Sequence, residues 1–142
     1  MKFAKNLMAV AAALALSSTA SLADSYNWKL QSFWGGGSAP QNVIEQFAKN
    51  MNTASGGDIN ITVLPNKAIV AHNQTLQAVG SGILDMQKST PCYYAGVDAA
   101  FGLLCEMNAG YSNAYQFITW YYQGGGLELA RKIYAEHGLH FI

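Results

Sequence analysis

The chain has 142 residues, enough for one ordinary domain, and 51% of them are hydrophobic, so it can bury a core. Eight Lys and Arg balance eight Asp and Glu. There is no basic run and no arginine stripe, so nothing points to nucleic acid.

The first residues read as a targeting segment. Lys2 and Lys5 form a positive start, residues 7–16 are apolar and uncharged, and Ser21-Leu22-Ala23 is a small-x-small cleavage site. That is a secretory signal peptide over 1–23. The apolar run is too short for a membrane anchor, which needs roughly 20 residues. Removing Lys2 and Lys5 leaves six basic residues against eight acidic ones. The exported part, residues 24–142, is mildly acidic.

Residues 28–34, Trp-Lys-Leu-Gln-Ser-Phe-Trp, begin by alternating apolar and polar side chains, which predicts a first strand. Gly35-Gly36-Gly37 ends it. Ser38 suits a helix N-cap and Pro40 an early helical position. Val43, Ile44, Phe47, Ala48 and Met51 then recur at helical spacing, predicting an amphipathic helix over 41–54. Ser55-Gly56-Gly57 closes it. Residues 58–64 alternate again, with Ile59, Ile61 and Val63 on one face of a second strand. Pro65-Asn66-Lys67 turns the chain. Asn73 suits the cap of a second helix carrying Leu76, Ala78 and Val79, which ends at residues 80–82. Strand, helix, strand, helix and strand in that order predict a parallel α/β sheet flanked by helices.

Residues 84–96 follow as a short extended run, stopped by Pro91 and continued by Tyr93 and Tyr94. Beyond Gly96, Phe101, Leu103, Leu104 and Met107 form a short apolar segment. A helix is expected over 112–123, apolar on most sides, so it is either buried or awaits a partner surface. Residues 124–126 are glycines, an amphipathic helix over 127–137 follows, and Gly138 ends it. Residues 139–142 read as the start of a fourth strand. A strand cut off at its start suggests a fragment or a truncated reading frame.

Catalysis has little to stand on. Asp58, Asp85, Asp98, Glu106, Glu128 and Glu136 are scattered, and no nucleophile, zinc-hydrolase or phosphate-loop motif occurs. The reading is not an enzyme. No Cys or His spacing suggests a metal site, and His72, His137 and His140 read as structural or solvent-facing. Cys92 and Cys105 can pair in an oxidising compartment, but two cysteines make no framework. The reading favours two small unpaired residues on neighbouring elements.

Trp34 and the pair Tyr93-Tyr94 follow the first and third strands, so a parallel sheet brings them to one edge. Ligands of open α/β sheets bind outside the carboxyl ends of the strands. The three rings suit a pocket with apolar walls and phenol hydroxyls, and equally suit ordinary packing.

Several segments also match a known family. The strand from Trp28-Lys29 to Trp34, Ala48 in its helix, Ser55-Gly56-Gly57, Val63-Leu64-Pro65, Leu76-Gln77-Ala78-Val79-x-Ser81-Gly82-x-x-Asp85-Met86, and Tyr93-Tyr94-Ala95-Gly96 follow one another as in TRAP transporter (DctP-type) solute-binding proteins. Residues 121–129, Tyr-Tyr-Gln-Gly-Gly-Gly-Leu-Glu-Leu, resemble the branch for 2-oxo acids and related monocarboxylates. The resemblance implies a two-lobed periplasmic protein that closes on a small organic acid and delivers it to TRAP membrane permease subunits. It makes this chain most of the first lobe, incomplete at its end, with the second lobe missing. Tyr94 falls where the family has a ligand-contacting tyrosine, and Trp34 and Tyr93 fall near the cleft. The carboxylate-clamping arginine and any metal ligands belong to later parts of family members. No cofactor is therefore expected in this segment, while a metal ion bridging the ligand carboxylate is possible in the full-length protein. Residues 106–111 depart from the family, which has a hydrophobic run into Pro-Phe there, and His72 stands where the branch more often has proline. Both departures leave the acid itself open. So do two other readings, an exported sensor module feeding a signalling kinase and an exported interaction domain without a ligand.

Overall fold

A computed structural model describes residues 25–105 and 110–142. The expected signal peptide, Glu106 and Met107 lie outside the described residues.

Three parallel strands form the sheet, in the order β2-β1-β3. The central strand β1 is Tyr26–Ser32. It ends at Ser32, so Phe33 and Trp34 stand just past the sheet. Helix α1, Ala39–Ala54, starts where Ser38 Oγ accepts the Gln41 N–H, as its sequence cap suggested. It stops at Gly56 and Gly57, whose positive φ of 65° and 97° few other residues adopt. Ala48 is buried, but Val43 is largely exposed, so the apolar face is narrower than its spacing suggested.

Strand β2, Ile59–Leu64, pairs with β1 over its whole length, from Tyr26 opposite Ile59 to Gln31 opposite Leu64. The connection back to the sheet is less helical than expected. His72–Gln74 is a 3-10 turn and helix α2 is only Thr75–Gly80. Asn73 therefore lies inside the 3-10 turn and caps nothing. Strand β3, Met86–Lys88, pairs with Leu30 to Ser32. Pro91 halts the extended run, and Pro91–Tyr94 and Ala99–Leu104 form two more 3-10 segments. The parallel α/β sheet flanked by helices is thus as its sequence predicts.

The main core lies to one side of the sheet. Leu76 of α2, Tyr94, Phe101, Leu104, and Ala130, Ile133 and Tyr134 of helix α4 (Gly126–Ala135) pack together with Leu139. Gly80 matters here: a side chain on it would meet the His137 carbonyl at 2.8 Å, so glycine lets α2 and the end of α4 approach. Residues 139–142 form no strand. Their backbone joins no ladder, and Leu139 serves the core instead.

Helix α3, Ala114–Gln123, is capped by Asn113, whose side chain accepts the Gln116 N–H. None of its residues is fully buried. Trp120 and Tyr121 lean on the core, while Tyr115 and Tyr122 are 82% and 74% exposed.

Cys92 and Cys105 correct the expectation of two separate thiols. They form a disulfide, with Cα atoms 5.2 Å apart. Spacing alone gave no hint of it, because the pairing depends on how the two 3-10 segments double back. Among the described residues, no helix is long and apolar enough to cross a membrane.

Candidate functional site

The carboxyl ends of the three strands are tied into one edge. The Phe33 N–H donates to the Lys88 carbonyl at 3.0 Å, and the Asn66 N–H donates to the Trp34 carbonyl at 2.9 Å. Buried Ser32 turns the chain out of the sheet, its hydroxyl accepting the Trp34 N–H at 2.9 Å.

A row of rings stands on this edge. Phe33 lies 4.3 Å from Trp34 and 6.1 Å from Tyr93, and Tyr93 meets His72 edge-on at 4.3 Å, measured between centroids. Tyr93 is 44% exposed. Lys88 Nζ sits 5.7 Å from the Phe33 centroid, near enough for a cation–π contact. Among the described residues no carboxylate pairs with Lys88. Trp34 and Tyr93 therefore come together as the topology suggested, through Phe33.

Tyr94 is in a different place. It is 0% exposed and packs on Phe101 at 5.6 Å, behind the edge. Its hydroxyl lies 2.5 Å from Gln87 Oε1 and 2.7 Å from Thr75 Oγ1, and Thr75 Oγ1 donates to the His72 carbonyl at 2.8 Å. Two hydroxyl protons serve three contacts that end on acceptors. At 2.5 Å the first contact is an O–H···O bond, so Tyr94 donates to Gln87 Oε1 and the Thr75 proton is shared between the Tyr94 oxygen and the His72 carbonyl. Burial raises the Tyr94 phenol above its ordinary pKa, partly offset by Ser89, Thr75 and Gln87. Ser89 Oγ itself is shut off from solvent without a hydrogen bond of good geometry.

The loop that carries His72 hangs on Gln31. This side chain is 0% exposed in the central strand. Its Oε1 accepts the Ile69 and Val70 N–H groups at 2.9 and 3.2 Å, and its Nε2 donates to the Val70 carbonyl at 2.8 Å. Phe33, His72, Lys88 and Gln31 were not singled out as site residues in the sequence. A glutamine in the middle of the predicted first strand was the one available signal, since an uncompensated amide in a buried strand is costly.

Charge follows the strand direction. Asp58 and Asp85 precede β2 and β3, whereas Lys67 and Lys88 lie after or at the ends of these strands. Lys67 also holds a left-handed backbone, φ 63°, in the turn bonded to Trp34. The edge suits an anion with a planar, partly apolar body. Two surface depressions of about 590 and 540 Å³ lie elsewhere, beside α3 and between α1 and β2. The first is lined by no charged residue, and neither touches the ring row. The edge itself is an open wall.

No group of three or more His, Cys, Asp or Glu among the described residues is placed to hold a metal ion.

Comparisons with known proteins bear on the fold and the family. The chain is 31% identical over 108 residues to the monocarboxylate 2-oxoacid-binding periplasmic protein of Nostoc sp., covering 76% of this chain and 29% of that protein. It superimposes on an apo, open TRAP periplasmic solute-binding protein from Rhodobacter sphaeroides with a TM-score of 0.77 and 28% identity, covering 82% of this chain and 37% of the other. A TRAP solute-binding protein from Colwellia psychrerythraea, with bound calcium and pyruvate, gives a TM-score of 0.72 at 26% identity, covering 80% and 35%. The chain thus spans roughly a third of the length of these relatives. Residues 31–142 match the family model for DctP, bacterial extracellular solute-binding protein, family 7. With that match running from the end of β1 through every later element, the chain belongs to this solute-binding family.

Proposed function

We propose that this chain is the first lobe of an exported receptor for a small organic acid, with its carboxyl-end edge as one wall of the ligand cleft. The observation that carries the reading is the ring row Phe33, Trp34, Tyr93 and His72 with Lys88 at its end. After loss of the signal peptide at 1–23, residues 24–142 make up the lobe, and the periplasm is its compartment. A 2-oxo acid or lactate-like monocarboxylate is the ligand class, consistent with the Nostoc relative and with pyruvate in the Colwellia structure.

The proposed chemistry is capture, with no bond made or broken. Trp34 and Tyr93 cover the apolar face of the acid and exclude water. Tyr94 completes the set from beneath, fixing the His72 loop through Thr75. A carboxylate taken out of water must meet a cation and hydrogen-bond donors, because unpaired burial is costly. Lys88 and Lys67 attract the anion to the edge, but an open wall cannot bury it. The remaining donors, and any metal bridging the carboxylate, belong to a second lobe. Delivery to TRAP membrane permease subunits completes the proposed role.

Calorimetric titration with pyruvate and lactate tests this. The chain alone should give weak binding, because it presents one wall of the cleft. Micromolar affinity would overturn the half-site reading.

A further inference from the structure

We propose that the Cys92–Cys105 disulfide positions Tyr93 in the cleft wall. Cys92 directly precedes Tyr93, and Cys105 follows the segment whose Phe101 and Leu104 fill the core. Tyr93 is therefore bracketed on both sides. Tyr94 is fixed by burial, and Cys92 is fixed by a covalent bond to core-anchored chain.

Nothing else in the neighbourhood fixes Tyr93 as well. The 3-10 segments are short, and such turns have poor hydrogen-bond geometry. The backbone bonds at Tyr93 and at the two cysteines are long: Tyr93 N–H to the Thr90 carbonyl at 3.3 Å, Ala95 N–H to the Cys92 carbonyl at 3.4 Å and Cys105 N–H to the Gly102 carbonyl at 3.4 Å. Tyr93 meets the His72 and Phe33 rings edge-on. A half-exposed ring held this way would sample several rotamers if Cys92 were free. With Cys92 tied, the backbone entering Tyr93 has one direction, and that direction sets the ring against His72. Cys92 is exposed and Cys105 half-exposed, so a reductant reaches the bond. The sequence reading assigned neither cysteine a role.

The consequence for ligand binding rests on the proposed cleft, whereas the local ordering of Tyr93 does not. The test separates the two. Proton NMR of the oxidised chain should show His72 imidazole signals displaced by the Tyr93 ring current. Dithiothreitol splits the bond into two thiols, passing two electrons and two protons to the protein as the reagent closes to its own cyclic disulfide. Reduction, or the double variant C92S/C105S, should collapse the His72 displacement while Phe101 and Tyr134 keep their dispersed core signals. His72 signals unchanged in the reduced chain would overturn the proposal. Loss of the core signals as well would also overturn it, because the bond would then be a requirement of the fold and not a positioning device. Pyruvate titrated into oxidised and reduced protein then reads the cleft. If His72 moves on reduction but pyruvate affinity does not change, the positioning stands and the cleft reading fails.

Discussion

Tyr94→Phe removes one oxygen from a fully buried place and tests how the edge is anchored. The hydroxyl contacts Gln87 and Thr75. Thr75 keeps its bond to the His72 carbonyl after the change, so it is not orphaned. Gln87 is half-buried and can turn towards water. The phenylalanine ring keeps its contact with Phe101, so no sizeable cavity opens. The loss is therefore two hydrogen bonds at roughly 0.5–1.5 kcal/mol each, or about 1–2 kcal/mol after partial rehydration. For a domain of this size that lowers Tm by about 3–8 °C. Urea denaturation followed by circular dichroism measures the difference through the midpoint at constant slope. A loss below about 0.5 kcal/mol, or a gain, would show that the Gln87–Tyr94–Thr75 chain does not anchor the edge.

Gln31→Leu should destabilise the lobe more, by about 2–4 kcal/mol, because it strips partners from the backbone groups of Ile69 and Val70. Chemical denaturation gives the size, and hydrogen exchange at residues 69–72 should speed up most; a change within about 0.5 kcal/mol would contradict the role given to this amide. The fold should also weaken in alkali. Burial raises the pKa of Tyr94, Tyr121 and Tyr134 above the ordinary value of 10.0, so the folded state keeps protons that the unfolded chain gives up. Stability is then full below pH 10.0 and is lost as pH rises through the folded-state values. Phenolate absorbance should rise in two stages, the second coinciding with unfolding. A single stage with all eight tyrosines titrating together, before any loss of structure, would refute this.

The sheet was legible because alternation in β1 and β2 and glycine stops mark elements locally. Ser38 and Gly56-Gly57 define α1 for the same reason. The edge was legible only as a topological consequence: parallel strands put Trp34 and Tyr93 at the same end. Which of two adjacent tyrosines faces out was not legible. A 3-10 segment turns about a third of a circle per residue, and pattern alone does not fix its starting angle. That angle is set by packing on Phe101 and Leu76, which take Tyr94 into the core. The disulfide and the Gln31 anchor were hidden likewise, since each joins segments whose approach exists only in three dimensions. The fourth strand failed for a simpler reason. Residues 139–142 have the composition of a strand, but Leu139 is claimed by the α4 core, and they pair with no strand of the sheet.

The central claim is that an organic acid meets this lobe at the ring row. The three tryptophans, Trp28, Trp34 and Trp120, give three separate probes, of which only Trp34 stands on that row. Pyruvate should be titrated at millimolar concentration into nitrogen-15-labelled chain, with sodium chloride as the ionic control. The account predicts that the Trp34 indole N–H and the Tyr93 and Lys88 amides move with pyruvate and not with chloride, while the Trp28 and Trp120 indoles stay still. Movement centred on Trp120 and α3, with Trp34 unmoved, would contradict it.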